Sequence, residues 1–185
     1  MAARPTRGKA SPTAQETIER LYDALGRCEG DAMAACYTAD ATFSDPVFVG
    51  LRGAEVGRMW RMLTAGAKDL TVSVSKIQVD GATGRARVEA RYTFSKTGRK
   101  VHNVIAASFT FKDGRITTQT DRFSFWRWSR QALGPVGVLL GWTSTPSIER
   151  AVAAALGGAP ITGRLPVGIP PDWPIGAGLT VKARP

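Results

Sequence analysis

The stretch that decides the fold runs from Thr13 to Leu63: TAQETIERLYDALG (13–26), then ADATFSDPVF (39–48), then AEVGRMWRML (54–63). In the first segment Ile18, Leu21, Tyr22 and Leu25 stand at i, i+3, i+4 and i+7, the spacing of one apolar helix face. Thr13 and Glu16 have the T-x-x-E spacing of a capping box, which sets the start of that helix, and Gly26 sets its end. Asp31 is placed to cap a short helix through Tyr37. Ala41 to Phe48 reads as a short extended segment closed by Gly50 and Gly53, and Val56, Met59, Trp60 and Leu63 give the next helix its inner face. Three helices are therefore expected ahead of any sheet.

Within that stretch Asp45 precedes Pro46, where the backbone is held extended, and it stands among Phe43, Val47 and Phe48. A carboxylate is costly to keep ionised among apolar neighbours. It is either a partnered structural group or a tuned acid or base.

From Leu70 the period changes to two. Leu70, Val72 and Val74 alternate with polar residues, then Ile77 and Val79 resume in the opposite parity, which predicts a bulge near Ser75. Ala86, Val88, Ala90, Tyr92 and Phe94 alternate with Arg85, Arg87, Glu89, Arg91 and Thr93 in a half-buried strand. Gly98 turns the chain into a strand over 101–111, and Asp113-Gly114 turns it into another expected over 116–126. Helices followed by an antiparallel meander argue an α+β fold.

Parity also sorts the polar residues. Asn103 shares a face with Val101, Ile105, Ala107, Phe109 and Phe111, while Gln119 and Asp121 share one with Phe123 and Phe125. Polar groups on faces otherwise built for burial either line a ligand pocket or satisfy one another. His102, the only histidine, falls on the outward parity, which leaves no Ser-His-Asp, Cys-His or His-based metal arrangement. Trp126 and Trp128 are expected on the opposite face from Phe123, under a C-terminal helix or in a dimer interface.

The segments Tyr22-Asp23-Ala24-Leu25, Tyr37-Thr38-Ala39-Asp40-Ala41 and Phe43-Ser44-Asp45-Pro46 resemble the nuclear transport factor 2-like superfamily, which includes ketosteroid isomerase and the SnoaL-like polyketide cyclases. The resemblance covers roughly Thr13 to Leu156. It implies a cone-shaped fold, with N-terminal helices packed on a strongly bent, mostly antiparallel sheet around a pocket, and pairing of two copies through their sheets. It also implies that Asp45 stands where ketosteroid isomerase keeps its general base. The rest of that isomerase site does not carry over: its helix tyrosine falls at Leu21, one residue from Tyr22, and its protonated aspartate falls at Ala107. Two missing oxyanion donors argue against authentic ketosteroid isomerase activity. The limonene epoxide hydrolases of the same superfamily use an Asp-Arg-Asp arrangement, for which Arg91 lies on the wrong parity.

The resemblance thus points to a SnoaL-like enzyme doing acid/base chemistry without a cofactor on a small apolar molecule that bears oxygen. Asp45 would be the base and Asp121 the acid, with Tyr22, Trp60, Asn103, Phe109, Gln119 and Phe123 around the substrate. The alternative is a binding or dimerisation module that uses the same hollow.

Composition bounds these readings. At 185 residues and 43% hydrophobic, the chain suits one compact core. The expected organisation is a disordered arm over 1–12, one domain over 13–156 and a Pro/Gly-rich tail over 157–185. A net charge of +10 invites a nucleic-acid partner, but Arg4, Arg7 and Lys9 lie in the arm and Arg164, Lys182 and Arg184 in the tail, so much of the excess is peripheral. Arg85, Arg87 and Arg91 read as a solvated sheet face. Cys28 and Cys36 have no metal-ligand spacing and argue for a reducing, cytoplasmic setting; neither a signal peptide nor a membrane span is expected.

Overall fold

Helix α1 (Ala14–Gly26) begins where the capping box sets it: the Thr13 hydroxyl accepts from the Glu16 N–H at 3.2 Å, and the Glu16 carboxylate accepts from the Thr13 N–H at 2.7 Å. Such a cap contributes about 1 kcal/mol, and Ile18, Leu21 and Tyr22 then bury the face that their spacing marks out. The computed structural model describes residues 11–67 and 69–135. Most of the expected arm (1–10), the helix expected over 147–156 and the tail over 157–185 lie outside the described residues.

The second helix departs from expectation. α2 is only Gly30–Ala34, with Glu29 rather than Asp31 at its N-cap. The Asp31 carboxylate instead accepts from the Arg61 guanidinium at 2.6 Å, tying α2 to α3 (Ala54–Ala65). These helices approach so closely that a Cβ on Gly30 would lie 2.7 Å from the Arg61 Cα, which is why glycine stands there.

Tyr37 does not end that helix but opens strand β1 (Tyr37–Ser44), and β2 (Leu51–Arg52) pairs back on it before α3 begins. The sheet therefore starts between the second and third helices, not after them. The cause is long-range: β1 is held by parallel pairing with a strand some 75 residues later, Phe43 standing opposite Gln119 and Ser44 opposite Thr120. No local pattern announces such a partner.

The remaining strands follow the predicted meander. They are β3 (Thr71–Asp80), β4 (Thr83–Phe94), β5 (Arg99–Lys112) and β6 (Arg115–Arg122), in sheet order β2-β1-β6-β5-β4-β3. The break near Ser75 is real: the β3–β4 register shifts between Ser75 and Gln78, with Lys76 at φ 52°. Asp113 and Gly114 both take positive φ in the β5–β6 turn, as a tight hairpin requires. The sheet is strongly curved and unclosed, with α1 and α3 on its inner side.

The last strand ends earlier than its alternation suggests. β6 leaves the sheet at Arg122, and α4 (Phe125–Leu133) follows with Ser124 as its N-cap. Phe125, Trp126 and Trp128 are therefore sorted by helical spacing rather than strand parity. Trp128 is buried against Phe94, Phe123 is buried beside the strand end, and Trp126 is 49% exposed with Arg130 over its ring. Where β6 departs, the edge of β5 is left unpaired. The Gln131 side chain fills in for a strand there, accepting from the His102 N–H at 2.9 Å and donating to the His102 carbonyl at 3.2 Å.

Among the described residues no helix is long and apolar enough to cross a membrane, and both cysteines are free.

Candidate active site

The parallel pairing of β1 with β6 builds the site. Its register runs Phe43 to Gln119 and Ser44 to Thr120, so the next residues along the two strands are Asp45 and Asp121. Neighbouring strands lie about 5 Å apart and alternate residues share a face. Phe43, Gln119 and Asp121 consequently point to the same inner side, and Asp45 follows directly on the end of β1.

Asp45 does not continue the strand. Its carboxylate Oδ1 accepts from the backbone N–H groups of Val47 at 2.7 Å and Phe48 at 2.5 Å, closing a turn over Pro46. Its own N–H donates to the Phe48 carbonyl at 2.7 Å. The turn fixes the carboxyl at the end of the strand. Although the residue keeps some exposed surface, packing around the carboxyl desolvates it, and this outweighs the two N–H donors to push its pKa up to about 7.

Asp121 is 5% exposed on β6, directly across from Ala107 on β5. Burial raises its pKa to about 7; the amide donated by Gln119 works against this, and the charge of Asp45 adds to it. Asp121 in turn helps to raise the already elevated pKa values of buried Tyr22 and Tyr37, and Asp45 does the same for Tyr92.

A chain of hydrogen bonds reaches Asp121 from behind. The Trp60 indole N–H donates to the Tyr37 hydroxyl at 2.9 Å, Tyr37 donates to Gln119 Oε1 at 2.5 Å, and Gln119 Nε2 donates to Asp121 Oδ1 at 2.8 Å. Gln119 and Asp121 thus do satisfy one another, but only one carboxyl oxygen is used. The hydroxyl of Tyr22 is buried and has no hydrogen-bond partner among the described residues. An orphan buried hydroxyl is a donor awaiting an acceptor.

The other expected site residues separate into three groups. Trp60 gives its N–H to Tyr37, so it stands behind the carboxyls. Phe109 is stacked on Phe111 at 5.8 Å and meets the Tyr22 ring edge-on at 6.4 Å, forming an inner wall with buried Phe123. Asn103 is half-buried on the inner face of β5, opposite Ala90. Sequence reasoning missed Tyr37 and Tyr92. Tyr37 falls at the end of the expected short helix, and Tyr92 lies on the apolar parity of β4, where its hydroxyl accepts from the Trp128 indole at 2.8 Å.

His102 and the arginines behave as solvent-side groups. His102 Nε2 lies 2.9 Å from Glu89, which also pairs with Arg87 at 3.0 Å and Arg91 at 3.4 Å. Arg91 is thus outside, and no Asp-Arg-Asp arrangement forms. Among the described residues no group of three or more His, Cys, Asp or Glu is arranged to hold a metal. Among the clefts of the described surface, one is lined by residues such as Glu16, Arg20 and Arg115 and another, of about 310 Å³, by residues such as Asp69, Arg91, Tyr92, Lys100 and His102, and neither of these contains Asp45 or Asp121.

Residues 18–119 match the SnoaL-like domain family, and the chain belongs to it. Solved structures with the same fold include an LEH-like epoxide hydrolase from M. tuberculosis (21% identity, 70% of this chain and 96% of that one, TM-score 0.53). A second is a protein with a ketosteroid isomerase-like fold from Catenulispora acidiphila, in complex with trimethylamine (17%, 70% and 98%, TM-score 0.58). A third is a protein assigned as a SnoaL-like polyketide cyclase from Jannaschia sp. CCS1 (17%, 71% and 99%, TM-score 0.58). At these identities the likeness shows the fold, that of the nuclear transport factor 2-like superfamily. A comparison with curated proteins finds no match.

Proposed function

We propose that this SnoaL-like domain is a cofactor-free enzyme that isomerises, cyclises or hydrates a small apolar substrate bearing oxygen, with Asp45 as base and Asp121 as acid. One observation carries the reading. Asp45, in the turn that ends β1, and Asp121, on the neighbouring strand β6, are both desolvated, which pushes the pKa of each up to about 7, and the charge of Asp45 acts on Asp121. Such a coupled pair holds roughly one proton near neutrality, so one member can give a proton while the other takes one.

The roles follow from the partners. Asp45 accepts from two backbone N–H groups, which favour its ionised form, whereas Asp121 accepts from a single amide and feels the charge of Asp45. The proton therefore resides on Asp121. Asp45 removes a proton from carbon or from water, and Asp121 donates to the oxygen on which charge develops. The free Tyr22 hydroxyl and the half-buried Asn103 amide orient that oxygen, while Phe109 and Phe123 exclude water. This reading is also in keeping with the epoxide hydrolase and polyketide cyclase assignments of proteins that share the fold.

A binding module is the second reading, favoured by the fact that both carboxyls already have protein partners. The two are separated by turnover assays on ketones, enol ethers and epoxides attached to apolar rings. The enzyme reading expects a bell-shaped pH–rate profile with limbs on either side of neutrality. Binding of such compounds with no turnover of any of them, and no effect of Asp45→Asn on that binding, would establish the module. In either case we infer a homodimer paired through the outer face of β5 and β6, where Ala106, Ser108 and Thr110 leave a smooth exposed surface; sedimentation velocity tests it.

A further inference from the structure

We propose that Trp60, Tyr37 and Gln119 form a one-way relay of hydrogen bonds that keeps Asp121 Oδ1 an acceptor, so that the proton of this acid resides on Oδ2, the oxygen left free for a substrate. Trp60 and Tyr37 are then positioning residues. Their catalytic consequence rests on the acid/base reading above; the relay itself does not.

The direction of the chain follows from its outer end. An indole N–H can only donate, so the Tyr37 oxygen must accept from Trp60 at 2.9 Å. The single Tyr37 proton then goes to the oxygen 2.5 Å away on the Gln119 amide, which orients that amide with its NH₂ toward Asp121 Oδ1 at 2.8 Å. With the amide turned over, Tyr37 would accept from both neighbours and its own proton would be left buried without an acceptor, at a cost of about 1–3 kcal/mol. Trp60, Tyr37 and Gln119 are all buried, so water does not offer the Tyr37 proton an alternative acceptor.

A neutral carboxyl that receives a donor on one oxygen keeps its proton on the other. The relay therefore decides where the acid proton is presented, and it steadies the ionised form once that proton has left. Besides Tyr37 itself, three groups bear on Asp121 or its partner and complete the setting: Asp45 after β1, Tyr22 on α1 and, through Asp45, Tyr92 on β4. From β5 the neighbour in register is Ala107, which does not titrate.

The test is a carbon-detected NMR titration of the Asp45 and Asp121 carboxyls in the unaltered protein, in Trp60→Phe and in Tyr37→Phe. Tyr37→Phe releases the Gln119 amide, and the Asp121 midpoint rises by about half a unit to one unit while that of Asp45 holds. Trp60→Phe removes one N–H at the far end of the relay and moves Asp121 in the same direction by less. Where turnover exists, the corresponding limb of the pH–rate profile moves with it. An Asp121 midpoint unchanged in both variants overturns the relay, and so does an equal movement of Asp45, which would mean general loosening. If Tyr37→Phe does not fold, Trp60→Phe decides alone. The titration needs no substrate: an Asp121 that titrates below about 5 in the unaltered protein overturns the enzyme reading, whereas the relay is judged by the difference between variants.

Discussion

The inner and outer faces of this sheet hold carboxyls of the same chemistry in opposite states. Inside, Asp45 and Asp121 are desolvated, which pushes the pKa of each up to about 7. Outside, the exposed Asp69 accepts from Lys100 and Thr93, and Glu89 accepts from His102 and Arg87; both are held below the usual carboxylate range. Asp121 and Glu89 lie on strands separated only by β5. What differs is whether water and cations can reach the group. Arg91, carried on β4, faces outward and pairs with Glu89 instead.

The largest break in this contrast is expected from Asp45→Asn. On the proposed acid/base function it lowers kcat by about 10³-fold, with substrate binding little changed, because the proposed base is lost while the shape is kept. Steady-state kinetics beside calorimetric binding would check it, and a variant of undiminished kcat would remove Asp45 from the chemistry.

Next comes stability against pH, where the two faces pull in opposite directions. For the inner pair the folded pKa values exceed the unfolded ones, so the folded state holds more protons between about pH 4 and 7. Their contribution is complete below pH 4 and is lost as the pH rises through 7. The loss is at most about 4 kcal/mol for each carboxyl. Outer Asp69 and Glu89 have lowered values, so their contribution is present at neutrality and is lost as the pH falls toward the acid range. Urea unfolding from pH 4 to 8 should show the decline, and Asp121→Asn should flatten it.

A smaller effect is expected from Tyr92→Phe, which leaves the Trp128 indole N–H without its acceptor. A cost of about 1–3 kcal/mol should appear in thermal unfolding, with little change in the Asp121 titration. The smallest effect belongs to Glu89→Gln. It disturbs only half-exposed pairs with Arg87, Arg91 and His102, so activity and the inner titrations should stay as they are.

The inner face of β4 and β5 was legible residue by residue, since alternation is a property of the chain alone. So were the capping box of α1 and the bulge near Ser75. The boundaries that failed share a cause. Tyr37 looks like the end of a helix because its partner, β6, is distant in sequence, and 123–128 looks like strand because Phe-Ser-Phe-Trp-Arg-Trp alternates. In the second case a local signal existed: Ser124 is a good N-cap, and its hydroxyl accepts from the Arg127 N–H at 3.3 Å.

Asp45 and Asp121 could both be singled out before any coordinates, the first by Pro46 and apolar neighbours, the second by parity. Side-chain alternation and helical spacing are local geometry, and they determined the α+β class, most of the strands and the identity of the two carboxyls. That the end of β1 comes to lie beside β6, and that Tyr37 rather than a substrate occupies the Trp60 indole and reaches Gln119, were decided only by the parallel register of β1 with β6. Pairing between distant strands leaves no periodic trace along the chain, because its hydrogen bonds are made by backbone groups that every residue carries.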